Sequence, residues 1–166
     1  KLNVAWVYGM DFSLLHVGGG LGPSPLPESP VPLETLRTSL RENPFRHFFV
    51  DTSAGLLEVR SAPILAAIDK QHRAPTHGYL VVGQLWDAAY LRELSEIVSG
   101  TVTLLPVAAA VDQTSTRPQG NLEFAKMLPG LDGRSVTALL VRYEPPIDDS
   151  IRQALEQENY QSLACG

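Results

Sequence analysis

The run from Gly78 to Trp86 (GYLVVGQLW) is the part of this sequence that most restricts how the chain can fold. Apolar residues occupy both alternating sets of positions, so a strand formed here needs cover on both of its faces. A strand with one face in water alternates apolar with polar residues instead. We therefore predict a central strand over 78–86 and expect the rest of the chain to build a sheet around it.

Shorter β-rich runs, separated by turn residues, supply the other predicted strands. They are an opening hairpin over 2–17 with a turn near 9–13, strands over 45–50 and 55–65 around the polar turn 51–54, a strand over 101–107, and a closing hairpin of 122–128 and 135–143. These strands follow one another in hairpins and meanders, which is typical of an antiparallel sheet.

Three helices are predicted from apolar spacing and capping residues. Leu33, Leu36 and Leu40 recur at helical spacing, which predicts a helix over 33–42. An apolar face between Asp87, an N-cap residue, and Gly100 predicts a second helix over 88–99. A third helix, over 150–163, has a weaker apolar face. With so few helices interspersed among the strands, the fold class is α+β, and the regular β-α-β alternation of a doubly wound nucleotide fold is absent.

A glycine run, Gly18-Gly-Gly-Leu-Gly22, is followed by five prolines at positions 23, 25, 27, 30 and 32. Phosphate-binding glycine loops lead into a helix N-terminus, whereas prolines follow here. We therefore predict a surface loop over 18–32 and no phosphate site.

Charge and composition exclude several classes of protein. The chain has 13 Lys and Arg against 18 Asp and Glu, without a basic cluster that could follow a phosphate backbone, so nucleic acid is not an expected partner. No apolar run reaches the roughly 18 residues of a membrane helix. The sequence begins without methionine or a signal peptide. We therefore expect it to be a piece cut from a longer protein.

Motifs for catalysis or metal binding are not found. The sequence has no nucleophile elbow, zincin motif or Walker lysine, and its one cysteine, Cys165, stands next to the end. Asp69, His72 and His77 lie close together, but their spacing fits no familiar metal site, so solvated loop residues are the favoured interpretation. We expect no enzyme activity, no cofactor and no metal.

Glu58 and Arg60 are the most informative charged residues, because they share one face of a predicted strand while Leu57 and Val59 take the other. Two interpretations remain open. The pair can form cross-strand salt bridges, with Glu123, Lys126 or Arg142, or it can face a polar pocket in which the arginine binds a ligand carboxylate. The candidate ligand-binding residues are Glu58, Arg60, Tyr79, Trp86, Phe124 and Arg142. Tyr79 and Trp86 point to opposite faces of their strand, so at most one of them can share a cavity with Arg60.

Several segments together resemble a known family. They are FFVDTSAGLLEVRSAPI (48–64), GYLVVGQLWD (78–87), Leu91-x-x-Leu-Ser and LPGLDGRSVTALLV (128–141). This set is similar to the fourth type of CHASE domain, which has a Cache-like, PAS-related fold, and the likeness extends over about residues 3–143. The sequence departs from the family in three places: no helix precedes the first strand, the turn at Asp11 lacks the usual glycine, and Gln84 stands where many relatives have arginine.

The resemblance implies a sensor domain on the periplasmic or extracellular side of a bacterial membrane. It implies a PAS-like domain over 1–147 and a C-terminal helix over 148–166 that leads toward a membrane segment, with the opening helix lying before Lys1. The parent would be a diguanylate cyclase or phosphodiesterase, or a sensor histidine kinase, possessing flanking membrane helices and able to form a homodimer.

The same resemblance implies that a small molecule binds between the sheet and the loops 18–32 and 66–77 and shifts the closing hairpin and the terminal helix. A cytosolic PAS-like or GAF-like module that regulates or binds proteins without a small-molecule ligand is the alternative.

Overall fold

A computed structural model describes residues 2–20, 28–66, 76–113 and 122–143. In chain order the elements are β1 (Val4–Tyr8), β2 (Leu14–Gly19), α1 (Leu33–Glu42), β3 (His47–Thr52), β4 (Gly55–Ile64), β5 (Gly78–Trp86), α2 (Ala88–Ile97), β6 (Gly100–Leu105), α3 (Val107–Gln113), β7 (Leu122–Pro129) and β8 (Ser135–Tyr143). They form two antiparallel sheets, one in the order β2-β1-β5-β4-β3 and one in the order β6-β8-β7. The predicted α+β fold class is confirmed.

β5 is the central strand of the larger sheet, as its sequence predicts. It pairs with β1 on one side and β4 on the other, with Gly83 opposite both Val4 and Val59. A Cβ at Gly83 would come within 2.7 Å of the Val4 side chain and 3.3 Å of the Trp6 ring. Glycine is therefore needed here because the Val4 side chain, together with the Trp6 ring, leaves no room for a Cβ.

One face of this sheet carries the main hydrophobic core. The buried side chains alternate along the strands and are joined by Leu36 and Leu40, which lie one helical turn apart on α1. The other strand residues of this core are Val4, Trp6, Tyr8, Phe48, Leu57, Val59, Tyr79 and Val81. Odd-numbered residues of β4 and β5 therefore face the core, and even-numbered residues face the opposite side.

The second sheet packs against that opposite side at one end of the large sheet. Phe49 and Leu56 form a buried cluster with Leu128 of β7, and Trp86 packs against it. The predicted closing hairpin is confirmed as β7 and β8, with a turn in which the Gly133 amide donates to the Gly130 carbonyl at 3.0 Å. The hairpin pairs with β6, so it belongs to the smaller sheet.

The predicted helix over 33–42 is confirmed, and the helix over 88–99 is two residues shorter. The Asp87 carboxylate accepts a hydrogen bond from the Tyr90 amide at 2.8 Å, as its N-cap role requires. Ser99 adopts a positive φ of 51°, and Gly100 already belongs to β6. The helix therefore ends at Ile97, and the left-handed residue is a serine rather than the predicted glycine.

Helix α3 is absent from the sequence prediction, which placed a strand over 101–107. That strand ends at Leu105 because Pro106 has no amide hydrogen for the ladder. The Pro106 carbonyl instead accepts hydrogen bonds from the amides of Ala109 and Ala110, which begins a helix. A proline preceding three alanines is the available signal for this helix.

Three smaller boundaries also differ from prediction. Gly18 and Gly19 belong to β2, where they pair with Ala5 and Val4, so the loop begins later than residue 18. β3 begins at His47 and includes Asp51 and Thr52, which shortens the polar turn to residues 53 and 54.

The predicted C-terminal helix, residues 21–27 of the loop 18–32 and most of the loop 66–77 lie outside the described residues. Among the helices that the structure describes, none has the length and apolar character to span a membrane.

Candidate functional site

Glu58 and Arg60 form an ion pair on the face of the large sheet opposite the main core. The Arg60 Nε and Nη2 atoms donate to Oε1 of Glu58 at 2.9 and 2.8 Å. His47, on the neighbouring strand β3, has its Nε2 atom 2.8 Å from the same oxygen. Arg60 is 64% exposed in its side chain and Glu58 only 11%. The carboxylate is therefore fixed within the sheet surface, while the guanidinium extends into solvent.

Trp86 connects this ion pair to the second sheet. Its indole Nε1 donates to Oε2 of Glu58 at 3.0 Å. The indole ring meets Phe49 edge-on, with centroids 5.5 Å apart, and lies 5.6 Å from the Tyr90 ring. Because Phe49 belongs to the cluster between the sheets, Trp86 contacts both Glu58 and that cluster.

Hydrogen bonds hold Glu58 in its ionised form. Burial alone would raise the pKa of its carboxyl, but the hydrogen bonds from Arg60, Trp86 and His47, together with the charge of Arg60, outweigh burial, and the pKa lies below its ordinary value. Burial, together with the charge of Glu58, raises the pKa of the Tyr90 hydroxyl. Tyr90 therefore stays protonated and can donate a hydrogen bond at neutral pH.

A shallow pocket of about 170 Å³ lies beside this ion pair. We call it the Glu58 pocket, and its lining residues are Leu2, Glu58, Arg60, Val82, Gln84 and Tyr90. Glu58 does contact a charged or polar residue across the sheet, but the partner is His47 of β3. Glu123 and Arg142, two of the partners considered from the sequence, pair with each other between β7 and β8. A pocket also lies beside Arg60, as the second interpretation expected, and ligand binding there stays a prediction.

The structure brings some of the predicted site residues together and separates others. Glu58, Arg60 and Trp86 are in one network. Tyr79 lies in the main core, 8% exposed, and stacks on Phe12 with centroids 4.8 Å apart. Phe124 and Arg142 lie on the second sheet and are absent from the described lining of the Glu58 pocket. Any ligand-binding role for these residues stays a prediction.

A larger cavity, of about 440 Å³, lies beside the opening hairpin at the edge of the main core. We call it the hairpin cavity. Apolar side chains form most of its wall, with three hydroxyls and one carboxylate among them, and the lining consists of Tyr8, Phe12, Ser13, Leu14, Glu28, Ser29, Val31, Pro32 and Leu33.

Polar atoms in the hairpin cavity are only partly paired. The Tyr8 hydroxyl donates to the Glu28 carbonyl at 2.7 Å. The pKa of this hydroxyl is raised, mainly by burial and further by the charge of Glu28, and the Ser29 hydroxyl offsets part of the rise. Among the described residues, no hydrogen bond of ordinary geometry reaches the buried Ser29 Oγ. The Tyr8 and Ser29 hydroxyls can therefore offer hydrogen bonds to a ligand in this cavity.

Sequence reasoning did not identify these cavity residues. The position of the cavity between the sheet and the segment before α1 agrees with the predicted ligand location beside the loop 18–32. The individual residues carried no signal for ligand binding: the prolines at 30 and 32 indicated only a loop, and Leu33 only the start of a helix. One indication existed in Tyr8, whose alternation with Val4 and Trp6 places its hydroxyl on the core face.

No metal site is found in the part of the chain that the structure describes, where no three His, Cys, Asp or Glu side chains are grouped to hold an ion. Asp69 and His72 lie outside the described residues. The expectation that they are solvated loop residues stays a prediction.

A comparison with known protein families identifies this chain. The model of the CHASE4 domain matches residues 2–105, which include the whole larger sheet, α1, α2 and β6. The match ends before the closing hairpin, so the likeness proposed for 128–141 is not covered by it. A search of curated proteins finds no match. Because more than half of the chain matches, it belongs to the CHASE4 family of extracytoplasmic sensor domains.

Proposed function

We propose that this domain senses a small molecule on the periplasmic or extracellular side of a bacterial membrane, and that the hairpin cavity is where the molecule binds. Membership of an extracytoplasmic sensor family supports the location and favours it over a cytosolic regulatory module. The observation that carries the proposal is a cavity of about 440 Å³ whose mainly apolar wall also presents the hydroxyls of Tyr8 and Ser29.

The volume and lining of the hairpin cavity define the kind of ligand. Pockets for small organic molecules range from about 300 to 1,000 Å³ and combine apolar walls with a few placed polar groups. Here Phe12, Leu14 and Val31 provide apolar wall, while Tyr8 and Ser29 offer hydroxyls. We therefore expect a largely apolar molecule with a hydrogen-bonding end.

The parent protein would relay binding to a cytoplasmic output domain. We propose a diguanylate cyclase or phosphodiesterase, or a sensor histidine kinase, with the signal leaving through the closing hairpin and the C-terminal segment. A ligand can shift such an equilibrium only by its difference in affinity for the two states. Ligand binding therefore has to favour one arrangement of the closing hairpin and the C-terminal segment over the other.

Ligand screening of the purified domain tests this proposal. The probes are indole, which has an apolar body and one donor, and a panel of amino acids, carboxylates, polyamines and nucleotides, each followed by thermal shift and by calorimetric titration. Val31→Trp is the test variant because it fills the cavity. Leu15→Trp is the matched control, because Leu15 is 65% exposed and does not line the cavity.

The proposal requires at least one probe to bind both the natural sequence and Leu15→Trp. The same probe should bind Val31→Trp about tenfold or more weakly, which is a loss of about 1.4 kcal/mol in binding free energy. Circular dichroism establishes that both variants are folded. Equal affinity in Val31→Trp would show that the ligand binds elsewhere. If no probe of any class binds, a scaffold without a small-molecule ligand becomes the better account.

A further inference from the structure

We propose that the Glu58 pocket is a second ligand site, which binds a small zwitterion carrying a carboxylate next to an ammonium group, such as an amino acid with a short side chain. This site lies on the face of the sheet opposite the hairpin cavity, so the inference is independent of the proposed function of that cavity.

Arg60 provides the carboxylate-binding side of the pocket. Its Nε and Nη2 atoms are directed at Glu58, and no described residue accepts a hydrogen bond from Nη1. The end of the guanidinium formed by Nη1 and Nη2 is therefore open to a ligand. A planar guanidinium binds a carboxylate through two parallel hydrogen bonds, and Glu58 already holds this one in a fixed orientation.

Glu58 and Tyr90 provide the ammonium-binding side. Oε1 of Glu58 receives hydrogen bonds from Arg60 and His47, whereas the Trp86 indole is the only donor to Oε2 among the described residues. A carboxylate oxygen has two lone pairs, so Oε2 can accept one more donor. Tyr90 also lines the pocket, so its hydroxyl can accept a hydrogen bond from a ligand ammonium group.

The balance of charge favours a zwitterion over an anion. Glu58 and Arg60 carry opposite charges within 3 Å of each other, so a ligand with only a carboxylate gains from Arg60 but is repelled by Glu58. A ligand with both charges can place each against its opposite. The charge pattern of the pocket is therefore matched by a dipolar ligand with no net charge.

The volume suits a ligand of about the size of alanine. A cavity of roughly 150 Å³ is known to hold benzene, which has six non-hydrogen atoms. The Glu58 pocket, at about 170 Å³, is close to that size. Alanine also has six non-hydrogen atoms, and the Val82 side chain gives its methyl group an apolar contact.

Trp86 would report binding directly. Its indole N–H shares the Glu58 carboxylate with the pocket, and its ring contacts Phe49 in the cluster between the sheets. The chain has two tryptophans, and the other, Trp6, lies fully buried on the core face. The Trp86 indole N–H resonance should therefore move when the pocket fills, while that of Trp6 stays in place.

Three matched probes test the ligand chemistry. Alanine carries both charged groups, propionate lacks the ammonium, and ethylamine lacks the carboxylate. Each is titrated into the purified domain and followed by calorimetry and by the two indole N–H resonances, assigned with Trp86→Phe. We expect alanine to bind in the millimolar range, since a six-atom ligand in an open pocket gains limited contact, and about tenfold more tightly than either partial probe.

Variants of the two charged residues complete the test. Arg60→Gln should weaken alanine binding about tenfold or more, while Arg134→Gln, a control at a 91% exposed arginine in the β7–β8 turn, should leave it unchanged. Glu58→Gln should weaken alanine binding but not propionate binding. Failure of alanine, glycine and serine to bind, equal binding of propionate and alanine, or unchanged alanine binding in Arg60→Gln would each overturn the proposal.

Discussion

The hydrogen bond between Trp86 and Glu58 should couple the large sheet to the cluster between the sheets, and a double-mutant cycle can measure that coupling. Trp86→Phe keeps an aromatic ring against Phe49 but removes the indole donor, 3.0 Å from Oε2 of Glu58. Glu58→Leu removes the acceptor and keeps a side chain of similar size. The double variant lacks the interaction altogether.

The expected loss in the free energy of unfolding follows from the two groups that this hydrogen bond joins. Hydrogen bonds to charged groups contribute about 1.5–3 kcal/mol, and Glu58 is largely covered, with 11% of its side chain exposed. We expect Trp86→Phe to lower the free energy of unfolding by about 2 kcal/mol, equivalent to about 4–8 °C in Tm for a chain of this length. The coupling energy should be about 1–2 kcal/mol, within the range found for residues in contact.

Urea unfolding of the four proteins, followed by far-UV circular dichroism, measures this coupling. Arg60→Gln serves as a control, because its guanidinium is 64% exposed and its ion pair should contribute less than about 1 kcal/mol. If the effects of Trp86→Phe and Glu58→Leu add to within about 0.3 kcal/mol, the two side chains are independent and the proposed link between pocket and second sheet is refuted.

Three further predictions concern acidity, packing and capping. The pKa of Glu58 lies below its ordinary value of 4.5, so the stability that ionised Glu58 contributes is complete above pH 4.5 and is lost as the pH falls below it. The urea midpoint of Glu58→Gln should therefore drop less steeply below pH 4.5 than that of the natural sequence. Gly83→Ala should destabilise the fold by about 1–3 kcal/mol, since its Cβ would lie 2.7 Å from Val4, whereas Gly20→Ala, with open space around it, should cost under about 0.5 kcal/mol in the same urea assay. Asp87→Ala should cost about 1 kcal/mol through loss of the α2 cap, and unchanged helix content and stability would contradict that role.

Local patterns in the sequence were sufficient for most elements of this fold. The apolar run 78–86 required cover on both faces, and β5 has a strand on each side. The spacing of Leu36 and Leu40 placed α1 correctly, since two side chains one turn apart on a helix must share a face. Two boundaries were predicted wrongly for different reasons. Pro106 ends β6 and its carbonyl begins α3. Gly18 and Gly19 belong to β2 because they pair with β1.

The candidate sites were less predictable, because their residues come from separate strands. Alternation along β4 placed Glu58 and Arg60 on one face, and alternation along β5 separated Tyr79 from Trp86. The partners of Glu58 are not visible in this way, since His47 and Trp86 lie 11 and 28 residues from it. His47 and Trp86 meet at the Glu58 carboxylate because of the register in which β3, β4 and β5 pair.

The sequence by itself determined that this chain forms an antiparallel α+β domain around one central strand and that it resembles an extracytoplasmic sensor. Periodicity and turn chemistry act between near neighbours, so they can be read directly from the chain. Only the tertiary structure decided that the closing hairpin forms a second sheet, that Trp86 joins that sheet to Glu58, and that two cavities lie on opposite faces. Those features depend on strand register and on packing between distant residues, which no local pattern encodes.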